Sequence, residues 1–362
     1  MKVTISDVAA RAGVSIKTVS RVINNEPSVR PATRRKVMDS VEALNYQPNL
    51  AARNLAGTRS YTIAFIYDNP NAYYVIDMQN GILDACKARG YELLIHPSNF
   101  KSTQVYEELR NLVEHSRVAG LVLTPPFSEQ QQVIDTLQSL GVDYVRIIST
   151  SAAGGDEENC IMVDDSQAAF DLTQHLLQYG HRRIGFLCGG EEHVSTQGRL
   201  DGYKRALQGA GIPLDESLIL QGEYSFDSGV QGAKKLLHVD NPPSAIFASN
   251  DEMAAGALFA ARLMGIAIPE QLSIVGFEDS PFSRQTWPTL TTAHQPNNEI
   301  AKCAAALVLS KARSKGAAES AAASKGAGIV RKFTPSLVIR DSSGPAPQSL
   351  DLGQQSLVKG AR

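Results

Sequence analysis

Residues 4–24 read Thr4-Ile5-Ser6-Asp7-Val8-Ala9-Ala10-Arg11-Ala12-Gly13-Val14-Ser15-Ile16-Lys17-Thr18-Val19-Ser20-Arg21-Val22-Ile23-Asn24, two short amphipathic segments on either side of a Gly-Val-Ser turn. Thr4 followed by Asp7 has the capping-box form, with a hydroxyl at the N-cap and a carboxylate three residues on to answer the exposed amides of a first turn. A helix starting there runs through Val8, Ala9 and Ala12 and stops at Gly13, the residue best suited to the left-handed position past a helix end. Ser15 is a second N-cap, and Val19, Val22 and Ile23 recur at helical spacing, so a second helix follows. Two short helices meeting at a tight turn form a helix-turn-helix, whose second helix offers its N-terminal residues to the DNA major groove.

Off the buried stripe of that second helix lie Ile16, Lys17, Thr18, Ser20 and Arg21. Arg can make a bidentate contact to guanine, Lys and the hydroxyls can reach bases or phosphates, and Ile can touch a thymine methyl. A solvated helix face is the bland alternative, but spacing, caps and local charge agree on DNA contact. A third helix opens with Pro31 at an N1-like position and carries Val37, Val41 and Leu44. Its Arg34, Arg35 and Lys36 are expected to face phosphate or solvent.

Charge supports the same division of the chain. Residues 1–60 hold ten Lys/Arg against four Asp/Glu, a net +6, which leaves −8 for the remainder of a 362-residue chain whose total is −2. A basic head on an acidic body is the pattern of a polyanion-binding module attached to something that does other work. The length predicts two or three domains, and 43% hydrophobic with 20% charged residues is ordinary for a globular protein. No run approaches the roughly 18 apolar residues needed to span a bilayer, and Asp7 and Arg11 stand where a secretory signal needs an apolar run, so a cytoplasmic protein with no membrane partner is expected. Cys86, Cys160, Cys188 and Cys303 lie far apart with no C-x-x-C pair, which points to reduced thiols and to no metal.

After Pro48 comes Asn49-Leu50-Ala51-Ala52-Arg53-Asn54-Leu55-Ala56-Gly57, framed by an N-cap Asn and a terminal Gly. It spans about two turns, too short to be stable alone, so it needs something to pack on. The runs Thr4 to Ala9, Ala12 to Ser15, Thr18 to Asn24 and Leu44-Asn45-Tyr46-Gln47-Pro48-Asn49 closely resemble the head of the LacI (lactose repressor) family of bacterial transcription regulators, almost continuously through residue 60. The resemblance implies paired hinge helices from two subunits in the operator's minor groove, with Leu55 wedged into a central base step and kinking the DNA. A linker helix with Leu55 packed on the body is the structural alternative. The candidate DNA-contacting set is thus Thr4, Ser15, Ile16, Lys17, Thr18, Ser20, Arg21, Asn24 and Arg30 in the head, with Asn49, Ala52, Arg53 and Leu55 in the hinge. Arg30 departs from the family, which commonly has a capping Ser there; the arginine weakens the cap and places a cation within reach of phosphate.

From Tyr61 onward short β-branched runs alternate with helical segments. Strands are expected at 62–67, 92–95, 120–123, 143–148, 183–188, 218–221, 245–248 and 272–277, the alternation that predicts parallel sheets covered on both faces. About 280 residues of such units fit two lobes. No P-loop, G-x-G-x-x-G after the first strand, G-x-S-x-G or H-E-x-x-H is present, so catalysis has no support and no cofactor is implied. Ligands of open parallel sheets bind at strand carboxyl ends. Those ends bring Asp68, Asn69 and Tyr73, then Gly189-Gly190 and Arg199, then Ser249-Asn250-Asp251, then Glu278-Asp279-Ser280. Carboxylate, guanidinium, amide and aromatic groups suit a polyhydroxyl ligand.

Gly180-His181-Arg182-Arg183-Ile184, Arg199-Leu200-Asp201-Gly202-Tyr203, Ser249-Asn250-Asp251, Val275 to Asp279 and Pro288 to Thr292 also resemble the family's periplasmic-binding-protein-like sensor. Carried over by position, Arg199, Asn250 and Glu278 match effector contacts, with Tyr73 and Gln295 as weaker candidates. Family members often have Asp where Glu278 stands, and the extra methylene alters the pocket. Asp251 is expected to cap the following helix, His181 to end one, and Trp287 to lie at a dimer contact. Residues 312–328 read as a flexible loop before a last strand at 332–340, and the chain past Ser343 as a disordered tail. Leu350, Leu352 and Leu357 sustain no heptad, so a dimer is expected.

The fold expected is α/β: an all-α helix-turn-helix head (1–47), a hinge helix and linker (48–60) and a two-lobed effector-binding and dimerisation domain with parallel sheets (61–343), then a tail (344–362). The function expected is a DNA-binding transcriptional regulator, a repressor acting as a homodimer on a roughly palindromic double-stranded operator and controlled by a carbohydrate-like effector between the lobes. A sugar-binding protein without a DNA role predicts an export signal and no basic head. An α/β enzyme with a DNA-binding appendage predicts a catalytic motif that is missing.

Overall fold

Each terminus of the first helix is fixed by the residue its local chemistry demands. In the computed structural model, which describes residues 3–23, 28–46, 60–150, 159–314 and 331–347, helix α1 covers Ile5–Ala12. The Asp7 carboxylate accepts both the amide and the hydroxyl of Thr4 at 2.8 Å, and Gly13 closes the helix at φ 63°. Ser15 Oγ accepts the Thr18 amide at 3.1 Å to start α2, Ile16–Ile23. Helix α3, Pro31–Ala43, begins after Arg30, whose side chain makes no cap bond. The three helices share a core of Val8, Ala9, Ala12, Val19, Val22 and Val37. Arg34 differs from its expected place: its guanidinium donates to the Val22 carbonyl at 3.3 Å, closing the last turn of α2 rather than facing outward.

Two compact units divide the chain, residues 1–61 and 62–362. The second holds two parallel sheets. Strands β1 (Thr62–Tyr67), β2 (Glu92–Pro97), β3 (Gly120–Leu123), β4 (Tyr144–Ser149) and β5 (Cys160–Val163) alternate with α4 (Ala72–Lys87), α5 (Val105–Ser116) and α6 (Gln131–Ser139). After α7 (Asp165–Gln178) come β6 (Ile184–Leu187), α8 (Val194–Gly209), β7 (Ile219–Leu220), α9 (Phe226–Leu237), β8 (Ala245–Ala248), α10 (Asp251–Leu263) and β9 (Ser273–Val275). The short α11 (Phe282–Gln285) and β10 (Thr292–His294) precede α12 (Asn297–Ser314), β11 (Arg331–Phe333) and β12 (Ser336–Val338). The first sheet runs β11-β5-β4-β3-β1-β2 and the second β7-β6-β8-β9, with β10 and β12 as a separate antiparallel pair.

The second sheet shows why its strands read as continuous apolar runs. Leu187, Ile246 and Ile274 point to one face, against Val230 and Leu236 of α9 and Met253 and Leu258 of α10. Their neighbours Phe186, Phe247 and Val275 point to the other, against Leu172 and Leu176 of α7 and Tyr203 and Leu207 of α8. Both faces are covered, so period-two alternation is apolar on both sides.

The chain passes between lobes three times: from β5 into α7, from β10 into α12 and from β11 into β12. Asp164 ties two of these passages together, its amide donating to the Phe333 carbonyl at 2.8 Å and its carboxylate pairing with Lys332. The single last strand expected at 332–340 is therefore two short strands in different sheets, split where the chain changes lobe. Nor does order stop at Ser343. His181 is fully buried, not simply a helix-end residue: its ring reaches Ser244 Oγ at 2.8 Å and the Gly344 carbonyl at 3.0 Å. The Ala346 amide donates to the Tyr179 carbonyl at 2.8 Å, so the ordered body extends past its expected end. Residues 48–59, most of 312–328 and the rest of the expected tail lie outside the described residues.

Helices α7 and α8 approach at Gly202, where an added Cβ would meet the Ser166 carbonyl oxygen at 2.1 Å. Gly202→Ala should therefore push the pair apart and destabilise the body by about 1–3 kcal/mol, read as a lowered urea midpoint with an unchanged slope.

Candidate functional site

In the head, α2 buries Val19 and Val22 and leaves the opposite face open. Lys17 and Arg21 are exposed, Ile16 is 50% exposed, and Thr18 and Ser20 are half-buried. Thr4 and Ser15 stand exposed at the starts of α1 and α2, with their hydroxyls engaged in capping. Arg30 is exposed at the start of α3. An exposed large aliphatic beside a lysine and an arginine on one short helix combines a methyl-contacting group with two cations. Asn24, Asn49, Ala52, Arg53 and Leu55 lie outside the described residues.

In the body, the carboxyl ends of the strands face a cleft between the lobes with an empty volume of about 570 Å³, mouth included. The first lobe contributes Asn69, Asn71, Tyr74 and the aliphatic wall of Ile147, Ile148 and Val163. The second contributes Asp165, His193, Ser195, Arg199, Tyr224, Asn250 and Glu278, and Gln295 lies on the second passage between lobes.

Arg199 organises this cleft. Its guanidinium is 4% exposed and contacts Asp165 Oδ1 through both Nε and an Nη at 3.0 Å. The other Nη donates to the Ser249 carbonyl, and the plane lies 3.9 Å from the Phe277 ring centroid. Nε–H and one Nη–H thus make hydrogen bonds within the body, and the side chain lines the cleft. Asp165 is itself 2% exposed; burial raises its carboxyl above the usual range, opposed by Arg199.

Glu278 sits three residues past the end of β9 at φ 100°, in the region that favours glycine, and Asp279 follows at φ 56°. Backbone held there is a cost that structures keep where it aims a functional group. Glu278 Oε2 accepts from Asn71 Nδ2 at 2.6 Å across the cleft. Asn71 is at the same time the N-cap of α4, its Oδ1 taking the amides of Tyr73 and Tyr74. Burial pushes Glu278 up to about 8, against the pull of Arg199.

Arg199, Glu278, Asn250 and Gln295, expected from sequence to meet, do line one cleft; Tyr73 does not. It stacks edge-on against Phe282, centroids 5.5 Å apart, and its neighbour Tyr74 lines the cleft instead. The helical turn after Asn71 rotates the two side chains apart by about 100°. The cap of α10 is Asn250 and not Asp251, as was expected. Asn250 accepts the Met253 amide at 2.8 Å and donates to the Tyr224 carbonyl at 3.0 Å, while lining the cleft. Asp251 caps nothing; it is buried and accepts from the Ser280 amide and Thr292 hydroxyl at 2.6 Å. Gln295 Oε1 is buried at the cleft without a hydrogen-bond partner. Asp165, Asn71, His193 and Tyr224 were missed by sequence reasoning. Asp165 follows a strand end and was within reach of that rule had β5 been recognised.

The raised carboxyls fix a sign. A folded-state value above the unfolded one gives stability that is full below the ordinary value of 4.5 and lost as pH rises through about 8 for Glu278. Burial lowers His175, His181 and His193, so they act only below the ordinary 6.5 and leave the interval above 7 clear. The melting temperature should therefore fall between pH 7 and about 8, and Glu278→Gln should flatten that fall; an equal slope in the variant would contradict the assignment.

Comparison with known proteins places these features. Residues 4–49 match the model of bacterial regulatory proteins of the lacI family, and residues 173–343 that of a periplasmic binding protein-like domain. The chain is 35% identical over 309 residues to the catabolite control protein A of Priestia megaterium, covering 85% of this chain and 92% of that protein. Among solved structures it is similar to the lac repressor dimer bound to operator and the anti-inducer ONPF (TM-score 0.75, 26% identity, covering 95% of this chain and 100% of that one). It is also similar to a complex of the transcriptional regulator CelR with cellobiose (TM-score 0.70, 28% identity, covering 94% and 100%). These relatives are regulators and not enzymes. With a helix-turn-helix head followed by a two-lobed sensor body, the chain belongs to the LacI family of DNA-binding transcriptional regulators.

Proposed function

We propose that this regulator is a repressor whose affinity for a roughly palindromic operator is set by a neutral, polyhydroxylated effector, a sugar or glycoside, bound between the lobes of its body. The observation that carries this reading is the setting of Arg199: its guanidinium is held by Asp165, Ser249 and Phe277 and lines the same cleft as Glu278 and Asn71, which are bonded to each other. A fixed fork of donors beside paired acceptors suits adjacent hydroxyls, whose oxygens accept and whose protons donate. An anionic effector suits it less, because Asp165 already balances the one guanidinium. Ile147, Ile148 and Val163 give the apolar wall on which a ring can lie. The CelR relative, solved with cellobiose, supports the class without naming the ligand.

On DNA, two heads occupy successive major-groove half-sites, and the hinge segments carrying Asn49, Ala52, Arg53 and Leu55 meet at the centre, as the family resemblance implies. A second copy of the chain is the partner this needs. The body leaves Leu263 of α10 63% exposed and Trp287 72% exposed, with Phe259 of α10 and Ile76 of α4 about half exposed. Large apolar side chains this open are what a subunit interface covers. Effector binding changes lobe and subunit geometry and shifts the population between operator-competent and incompetent states.

Two substitutions test the two ends of this reading. Arg21→Ala should weaken specific operator binding by about 1–3 kcal/mol in anisotropy titrations and leave binding to random duplex nearly unchanged; an equal loss on both would assign Arg21 to phosphate alone. Arg199→Lys keeps the charge but loses the fork. In a thermal-shift panel of neutral mono- and disaccharides beside sugar phosphates, the wild type should respond to a neutral member and the variant should not. A response confined to phosphorylated sugars would overturn the neutral assignment.

A further inference from the structure

Beside the Tyr73–Phe282 ring contact, the polar side-chain links that cross the cleft include these three. Lys101 pairs with Glu192 at 3.3 Å, with the lysine 73% exposed, and an exposed pair of this kind contributes little. Asn71 bonds to Glu278, but both line the cleft, so an effector hydroxyl competes for them. The third is Glu129. It ends the 3₁₀ turn Phe127–Glu129 of the first lobe, and its side chain does not belong to the cleft lining. Its Oε1 accepts the amide of Ser149, the last residue of β4, at 3.2 Å. Its Oε2 accepts the amide of Val194, the first residue of α8 in the other lobe, also at 3.2 Å.

We propose that Glu129 is a positioning residue that straps the first turn of α8 to the end of β4 and thereby couples closure of the lobes to the placement of Arg199. Val194 N–H is one of the amides that a helix start leaves without an intrahelical acceptor. Here the acceptor comes from the opposite lobe, and a carboxylate at a helix N-terminus is favoured by the helix dipole. Opening the lobes takes Glu129 away and returns that amide to water. Closing them restores the bond and fixes the first turn of α8, with Ser195 lining the cleft and Arg199 one turn further on. Because neither oxygen is a cleft group, the strap persists when a ligand displaces Asn71 from Glu278. The charged groups that face it are Asp165, at the start of α7, and Arg146, on β4; burial pushes Glu129 itself up to about 7. The regulatory consequence rests on reading the cleft as an effector site, but the strap itself is tested on the chain alone.

The test uses the full chain without ligand, as wild type, Glu129→Gln and Glu129→Ala. Amide hydrogen exchange should quicken at least tenfold at residues 194–196 in Glu129→Ala, and by less in Glu129→Gln, which keeps one acceptor oxygen. Exchange in β8, residues 245–248, should not change, which shows that the fold is retained. In parallel, spin labels on Gln132→Cys and Lys235→Cys, in a Cys303→Ser background, report the separation of the lobes. The distribution should widen in both variants and stay widened in Glu129→Asp, whose side chain is one methylene short of spanning the two amides. If Glu129→Ala fails to fold, the nearly isosteric Gln variant carries the test. Faster exchange at Ser149 alone with an unchanged distance distribution would show that Glu129 serves only its own lobe and would overturn the proposal. Absence of any sugar response with a widened distribution would instead count against the effector reading and leave the strap standing.

Discussion

The guanidinium of Arg199, taken almost wholly out of water, is the constraint around which the body is arranged. Removing a charge from water costs several kcal/mol unless partners replace the solvent with good geometry. The partners here come from separate parts of the chain. Asp165 stands at the first passage between lobes, the Ser249 carbonyl ends β8, and the Phe277 ring follows β9. Satisfying one side chain therefore sets the relative positions of a lobe passage and two strand ends. It also explains why the cleft lies where it does, at the carboxyl ends of parallel strands, where loops rather than ladder bonds determine what side chains face. A buried ion pair of this kind is weak evidence for stability, and its value lies in fixing geometry.

The fold was legible where local rules act alone. Thr4, Asp7, Gly13 and Ser15 specify the two helix boundaries of the head within a few residues, and the structure places them there. The apolar runs at 62–67, 120–123 and 245–248 became strands because both faces are covered and no solvent side interrupts the run. Legibility failed where the chain changes lobe. Residues 332–340 read as one strand, yet Pro335 falls at the passage and the two halves join different sheets. Cys160 to Val163, no shorter than the strands at 120–123 and 245–248, was not expected, although it pairs on both sides. The end at Ser343 was misplaced because what orders Gly344 to Ala346 is a buried histidine more than 160 residues earlier, a long-range contact with no local signature.

The site was legible as a set of residue types at strand ends and less so in its assignments. Arg199 and Glu278 were correctly placed in one cleft because strand ends in parallel sheets converge. Tyr73 and Tyr74 could not be separated, since which of two adjacent aromatics faces the cleft depends on how Asn71 sets the first turn of α4. The cap of α10 was placed on Asp251 instead of Asn250 for the same kind of reason. Both are good caps, and only the buried acceptor demand of Ser280 and Thr292 decides that the carboxylate turns inward and the amide caps. In the head, the residues expected off the buried stripe of α2 are exposed or half-buried, whereas Arg34 turns to the Val22 carbonyl, a tertiary use with no local signal.

The central claim is that occupancy of the cleft and affinity of the head for DNA are one coupled equilibrium. Coupling between two binding sites is reciprocal by thermodynamic necessity. The direct measurement is therefore a pair of titrations on the full chain: a neutral sugar that binds the body, titrated with and without operator duplex, and operator titrated with and without that sugar. The account predicts that each ligand changes the dissociation constant of the other by the same factor, about fivefold or more. Equal sugar affinity in the presence and absence of operator, with both ligands demonstrably bound, would contradict it.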